Sequence, residues 1–189
     1  MQNVFNYFNK PLLKIPMGFG ALTGILCFLY FLGLYAVGIT PLGTKKVLDF
    51  GIHVIMMVVA VWYFRKHVGN GALHLWEALS ICYVLNTVAA LTTGWLIYGF
   101  LNYGDSSVFV KYLAEMKQLL VSTKGQLIKE LGQAEYQKML IDAANIKPAD
   151  LIADELSKKT VLAVFPALLI SLIFRKQDYS VFQPQKPAK

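Results

Sequence analysis

The chain has 189 residues, 56% of them hydrophobic and only 15% charged, with a mean hydropathy of +0.50. Soluble domains carry about 45–50% apolar and about 25% charged residues, so this composition is displaced towards a membrane protein. Two cysteines exclude a secreted disulfide scaffold, and the apolar fraction excludes a disordered chain. The net charge of +7 does not point to nucleic acid, because the basic residues flank apolar runs.

The first uncharged apolar run covers 17–39, after Lys10, Lys14 and Pro16 and before Pro41. As a helix it reaches about 34 Å, enough for a hydrocarbon core of about 30 Å. It exceeds the ~7–15 residues of a signal-peptide core, so a retained span is expected despite the small residues Ala36-Val37-Gly38. The second run, 47–64, follows Lys45 and Lys46 and stops at Arg65-Lys66, with Asp49 and His53 in its opening turns. A third span is expected over 72–101 and carries Glu77 one turn in. The fourth, 160–174, lies between Lys158-Lys159 and Arg175-Lys176. Its 15 residues cover only about 22 Å, which requires snorkelling lysines or a thinned bilayer. Trp62, Tyr63 and Trp76 suit one interface, and Tyr35, Trp95, Tyr98 and Tyr103 the other.

Four crossings put both termini on one face. Arg65-Lys66 and Arg175-Lys176 abut the ends of their spans on that face, so cytoplasmic termini are expected. The segment 102–159 is too long for a structureless connector. Phe109, Tyr112, Leu113, Met116, Leu119, Leu120, Thr123 and Leu127 recur at helical spacing, predicting one amphipathic helix from about 106 to 131. A shorter helix around 136–143 should follow, then a third from Pro148 running into the last span. The expected architecture is an all-α integral membrane domain of four transmembrane helices with a long amphipathic helical insertion between the third and fourth. Residues 4–13 read as an interfacial lead-in and 177–189 as a flexible tail.

The order of these parts resembles a bacterial membrane family catalogued as domain of unknown function 4199. The likeness rests on the polar and small residues from Asn86 to Gly94, on Tyr103 through Gln133-Ala134-Glu135-Tyr136, and on Pro166-Ala167-Leu168-Leu169-Ile170. It implies a small bacterial inner-membrane protein with no catalytic signature. It also implies a membrane-protein partner, with membrane glycosyltransferases among the candidates.

Several residues carry chemistry that a lipid-facing helix does not need. Asp49 and His53, four apart, project from one helix face. A metal or proton relay is one explanation, and an anion at a helix N-terminus bonded by its histidine is the plainer one. Tyr83, Asn86, Ala90 and Thr93 form a seam along the third span. An unpaired amide at the depth of Asn86 is costly, so Asn86 should face another helix or a wet cavity. Gly20 and Gly24, with Ala90 and Gly94, make two small-xxx-small pairs for close helix approach, within or between chains. Glu77 is expected to pair locally with Arg65 or Lys66, and Cys27 and Cys82 to be inert thiols. No phosphate-binding, hydrolase or metal-binding motif occurs, so no cofactor or intrinsic catalysis is expected. The leading expectation is an accessory or scaffold subunit of a membrane assembly. The alternative is a transporter-like or lipid-handling protein that uses the polar seam.

Overall fold

The computed structural model describes residues 10–176, and the expected tail and most of the expected N-terminal lead-in lie outside them. Helix α1 covers Pro11–Ala36, beginning on a proline whose missing N–H costs nothing at a first helical position. A 3-10 helix, Thr44–Asp49, leads into α2, Phe50–His67. Helix α3 covers Leu75–Tyr103. Three shorter helices follow, α4 Ser107–Ser122, α5 Lys124–Leu131 and α6 Gln133–Asn145, before α7, Asp150–Phe174. Four helical segments, with the 3-10 turn extending α2, are long and apolar enough to cross a membrane. Among the described residues there is no β-strand, and the protein is an all-α, multi-pass membrane protein.

Helix α3 is the hub: it packs on α1, α2 and α7, most extensively on α1 and α7. Small residues permit this. A Cβ added at Gly20 would lie 2.7 Å from Leu85 O, and one at Gly24 2.5 Å from Thr92 Cβ. At Gly94 it would come 3.1 Å from Ile152 Cα of α7. Both small-residue pairs therefore serve packing inside one chain. Thr93 Oγ1, 2.9 Å from Ala89 O and 3.3 Å from Gly24 O, ties α3 to α1 at the same crossing.

The bundle has two apolar clusters. One, towards the face of the chain ends, contains Met57, Ala60, Val61, Ile81, Leu85 and Ala163, all fully buried. The other, towards the face of α4–α6, gathers Phe31, Ile97, Leu101, Val108 and Leu151. Large side chains such as Leu29, Ile55, Phe165 and Ile173 point outwards, as a lipid-facing surface requires. Trp76 and Trp95 are also exposed, near opposite faces, where amphipathic rings are favoured.

The last helix begins at Asp150 and runs into the fourth span, as expected; its 25 residues reach about 37 Å, so the thinned bilayer expected for 160–174 alone is not required. Two further details differ from expectation. The insertion helix breaks at Thr123, whose hydroxyl accompanies that of Ser122 in bonding Leu119 O; such back-bonding competes with helix continuation. Glu77 does not pair with a basic residue in the described contacts. Its carboxylate accepts the backbone N–H of His74 at 2.9 Å in a capping box. Arg65 instead donates to Gly71 O at 3.1 Å and reaches Phe174 O at 3.5 Å. There Leu73 and Lys176 exchange two backbone hydrogen bonds that clasp the end of α7 to the α2–α3 turn.

Candidate functional site: a buried charge centre between α2, α3 and α7

Between the two apolar clusters lies a polar centre built around Lys159. The buried face of α7 recurs every four residues through Leu151, Glu155, Lys159, Ala163, Ala167 and Ser171. That stripe carries a carboxylate and an ammonium into the bundle. Lys159 Nζ lies 2.7 Å from Asp49 Oδ2 and 3.1 Å from His53 Nε2. His53 Nδ1 is 3.0 Å from Asn86 Oδ1, and Asn86 Nδ2 donates back to Lys159 O at 3.2 Å. The circuit thus closes on the residue where it began.

These contacts assign the histidine tautomer. An ammonium only donates, so Nε2 accepts from Lys159 and Nδ1 carries the proton given to Asn86 Oδ1. His53 is neutral, and its ring stacks on Phe50 at 5.7 Å between centroids. Asp49 closes the 3-10 helix and Phe50 opens α2, which puts Asp49 and His53 one turn apart. Asp49 does not bond His53 directly, as the plainer expectation had it; Lys159 sits between them.

A second pair joins the same centre. Lys46 of the 3-10 helix contacts Glu155, whose other oxygen, Oε2, is 3.6 Å from Lys159 Nζ. Asp49 is 1% exposed, Lys159 5%, and Lys46 and Glu155 8% each. Two ammonium groups therefore balance two carboxylates inside a helix bundle. Taking such charges out of water is expensive, and only close pairing makes it tolerable. Cys27 of α1 backs the centre, its Sγ 3.7 Å from Asp49 O. Satisfaction is incomplete: both Asp49 carboxylate oxygens and Glu155 Oε2 are buried without a hydrogen-bond partner, their contacts with Lys159 being ion pairs alone.

A cavity of about 100 Å³ adjoins the centre, lined by Lys46, Asp49, Glu155 and Lys159. Leu42, Tyr112 and the Asp154–Lys158 pair, on the side of α4–α6, also line it. Burial there pushes the Tyr112 phenol above its ordinary range.

The structure thus brings together the Asp49–His53 pair and Asn86, which the sequence offers as members of two separate candidate sets. Thr93 lies two turns further along α3 in the α1–α3 contact, and Ala90 is fully buried beside it. Tyr83 is half-buried against the lower apolar cluster and takes no part in the centre. Lys46, Glu155 and Lys159 escape sequence reasoning because they read as flanks of apolar runs. The available signal was the four-residue step that places Glu155 and Lys159 in line with Ala163 and Ala167. Among the described residues, no group of three His, Cys, Asp or Glu side chains could hold a metal ion.

No curated protein and no solved structure matches the chain. Residues 18–176, which contain the whole bundle beyond the first turns of α1 and every residue of the charge centre, match the family described as protein of unknown function (DUF4199). On that match, over most of its length, the chain belongs to the DUF4199 family.

Proposed function

We propose that the protein is a small transporter-like protein of the bacterial inner membrane that handles a small polar species at the Lys159 centre. The observation that supports this is the position of Lys159 Nζ, within 3.1 Å of both Asp49 and His53 inside the bundle. A protein that only scaffolds others gains little from four buried charges, since apolar replacements of buried ion pairs are often neutral or stabilising by about 1–4 kcal/mol. Ionisable groups inside a bundle commonly mark a substrate or ion path. The proposed role is non-enzymatic. Both termini are placed in the cytoplasm on the strength of Arg65-Lys66 and Arg175-Lys176 at the span ends.

The test is reconstitution of the purified full chain in sealed vesicles, with ion and solute flux measured for the wild type and Lys159→Met. Flux by the wild type that the variant loses is the expected result. Silent vesicles under every imposed gradient, with stable protein partners in mild-detergent preparations, would replace transport by the accessory-subunit role. One observation favours that second role: α4 and α6 leave an open groove of about 480 Å³, with Leu113, Leu140 and Ile141 on its walls. A membrane protein partner, membrane glycosyltransferases included, would cover it.

A further inference from the structure

We propose that the cavity beside Lys159 is a water inlet, open only to the face of α4–α6, through which Asp49 and Lys159 exchange protons with water. This rests on the transporter-like function above and names the proton as the species handled.

The chemistry of the cavity selects the ligand. Three buried carboxylate oxygens of residues that line it, Asp49 Oδ1 and Oδ2 and Glu155 Oε2, have no hydrogen-bond partner; Oδ2 is ion-paired with Lys159, and all three are acceptors. Their complement is a hydrogen-bond donor. A free metal cation is opposed by the ammonium groups of Lys46 and Lys159, and an anion by the two carboxylates. Size narrows the choice further. About 100 Å³ is room for roughly three waters at ~30 Å³ each, well below the ~300–1,000 Å³ of ordinary small-molecule pockets.

Access is one-sided. The lining comes from the 37–49 connection, the start of α2, Tyr112 of α4 and the first half of α7. Towards the other face, Met57, Val61, Ile81, Leu85 and Ala163 are fully buried and apolar, and such a packed layer stays dry.

The groups facing the Asp49–Lys159 pair are few. Lys46 and Glu155 contact each other, Asp154 and Lys158 pair at 2.7 Å, His53 lies between Lys159 and Asn86, and Cys27 meets the Asp49 backbone. The elementary step is a transfer across the 2.7 Å between Lys159 Nζ and Asp49 Oδ2. An N–H bond breaks and an O–H bond forms, so ammonium and carboxylate become amine and carboxylic acid with no change in net charge. Cavity water then accepts the proton from Asp49 as hydronium. A proton returned to Lys159 restores the starting pair, and net transport requires that this proton arrive from the opposite face through an opening of the apolar layer.

The test joins labelling and flux on the full chain in sealed vesicles. In a Cys27→Ala, Cys82→Ala background, Phe50→Cys and Leu42→Cys probe the inlet, and Met57→Cys probes the layer beneath. A small, membrane-impermeant methanethiosulfonate, which reacts with thiolate in water, is applied from each face in turn. Expected is modification of Phe50→Cys and Leu42→Cys from the α4–α6 face only, with Met57→Cys unreactive from that face. A trapped pH dye should report proton flux that Asp49→Asn reduces by about tenfold or more. Unreactive inlet positions, or labelling of Met57→Cys from the α4–α6 face, would overturn the inlet whatever the flux. Labelling as expected with flux carried by another ion would overturn the proton assignment and leave transport standing. Labelling as expected with no flux of any kind would overturn the transport function itself.

Discussion

The same three helices, α2, α3 and α7, build two unlike layers a few turns apart. Towards the chain ends they enclose Met57, Val61, Ile81, Leu85, Ala163 and Ala167, all apolar, with the Ser171 hydroxyl of α7 also buried. Towards the insertion they enclose Asp49, His53, Asn86, Glu155 and Lys159. The lower layer is held by burial and close packing, which tolerate changes of hydrophobic identity if volume is kept. The upper layer is held by mutual neutralisation, so each member depends on the others being present. One layer therefore supplies stability to the bundle, while the other concentrates ionisable groups where a membrane protein would otherwise avoid them.

Breaking the upper layer should have the largest effect. Lys159→Met leaves two buried carboxylates facing each other and should destabilise the protein by about 3–5 kcal/mol, measured by denaturant unfolding in detergent micelles. Removing Asp49 as well, in Asp49→Leu/Lys159→Met, should recover part of that loss. In the lower layer Met57→Ala should cost about 2–5 kcal/mol through the cavity it leaves, and no second substitution of a charge should rescue it. Between the layers' outer supports, Gly24→Ala forces a methyl against Thr92 and should cost about 1–3 kcal/mol, readable as a lowered unfolding midpoint.

The smallest effect is expected outside the membrane, at Asp105. Hydrogen bonds from Ser107 and then from Tyr35 hold its carboxyl below the ordinary carboxylate range. A lowered folded-state pKa favours the folded state above the unfolded pKa and ceases to do so as pH falls through the folded value. Asp105→Asn should therefore flatten the acid limb of a stability–pH curve and leave neutral stability nearly unchanged, because the site is solvent-exposed.

The four long helices were legible in the sequence because length and apolar content alone satisfy a bilayer, and the hub role of the third follows from its small and polar residues. The site was legible only in part. Asp49, His53 and Asn86 stand out as polar residues within apolar runs. Lys159 does not, because a lysine at the edge of a hydrophobic segment ordinarily snorkels to the interface. What hides it is that α7 turns Lys159 inward with Glu155 on its buried face, together with the 3-10 turn that presents Lys46 and Asp49. Both are tertiary facts. The break at Thr123 was hidden for another reason: apolar periodicity continues across it while two hydroxyls interrupt the backbone.

The central claim is that Asp49 and Lys159, 110 positions apart in sequence, are direct partners inside the bundle. A double-mutant cycle on unfolding free energy tests it, using Asp49→Leu, Lys159→Met and the combination in the full chain. The predicted coupling is about 1–3 kcal/mol, with the double variant more stable than the sum of the single losses requires. Additive losses, with a coupling below about 0.3 kcal/mol, would contradict the paired centre.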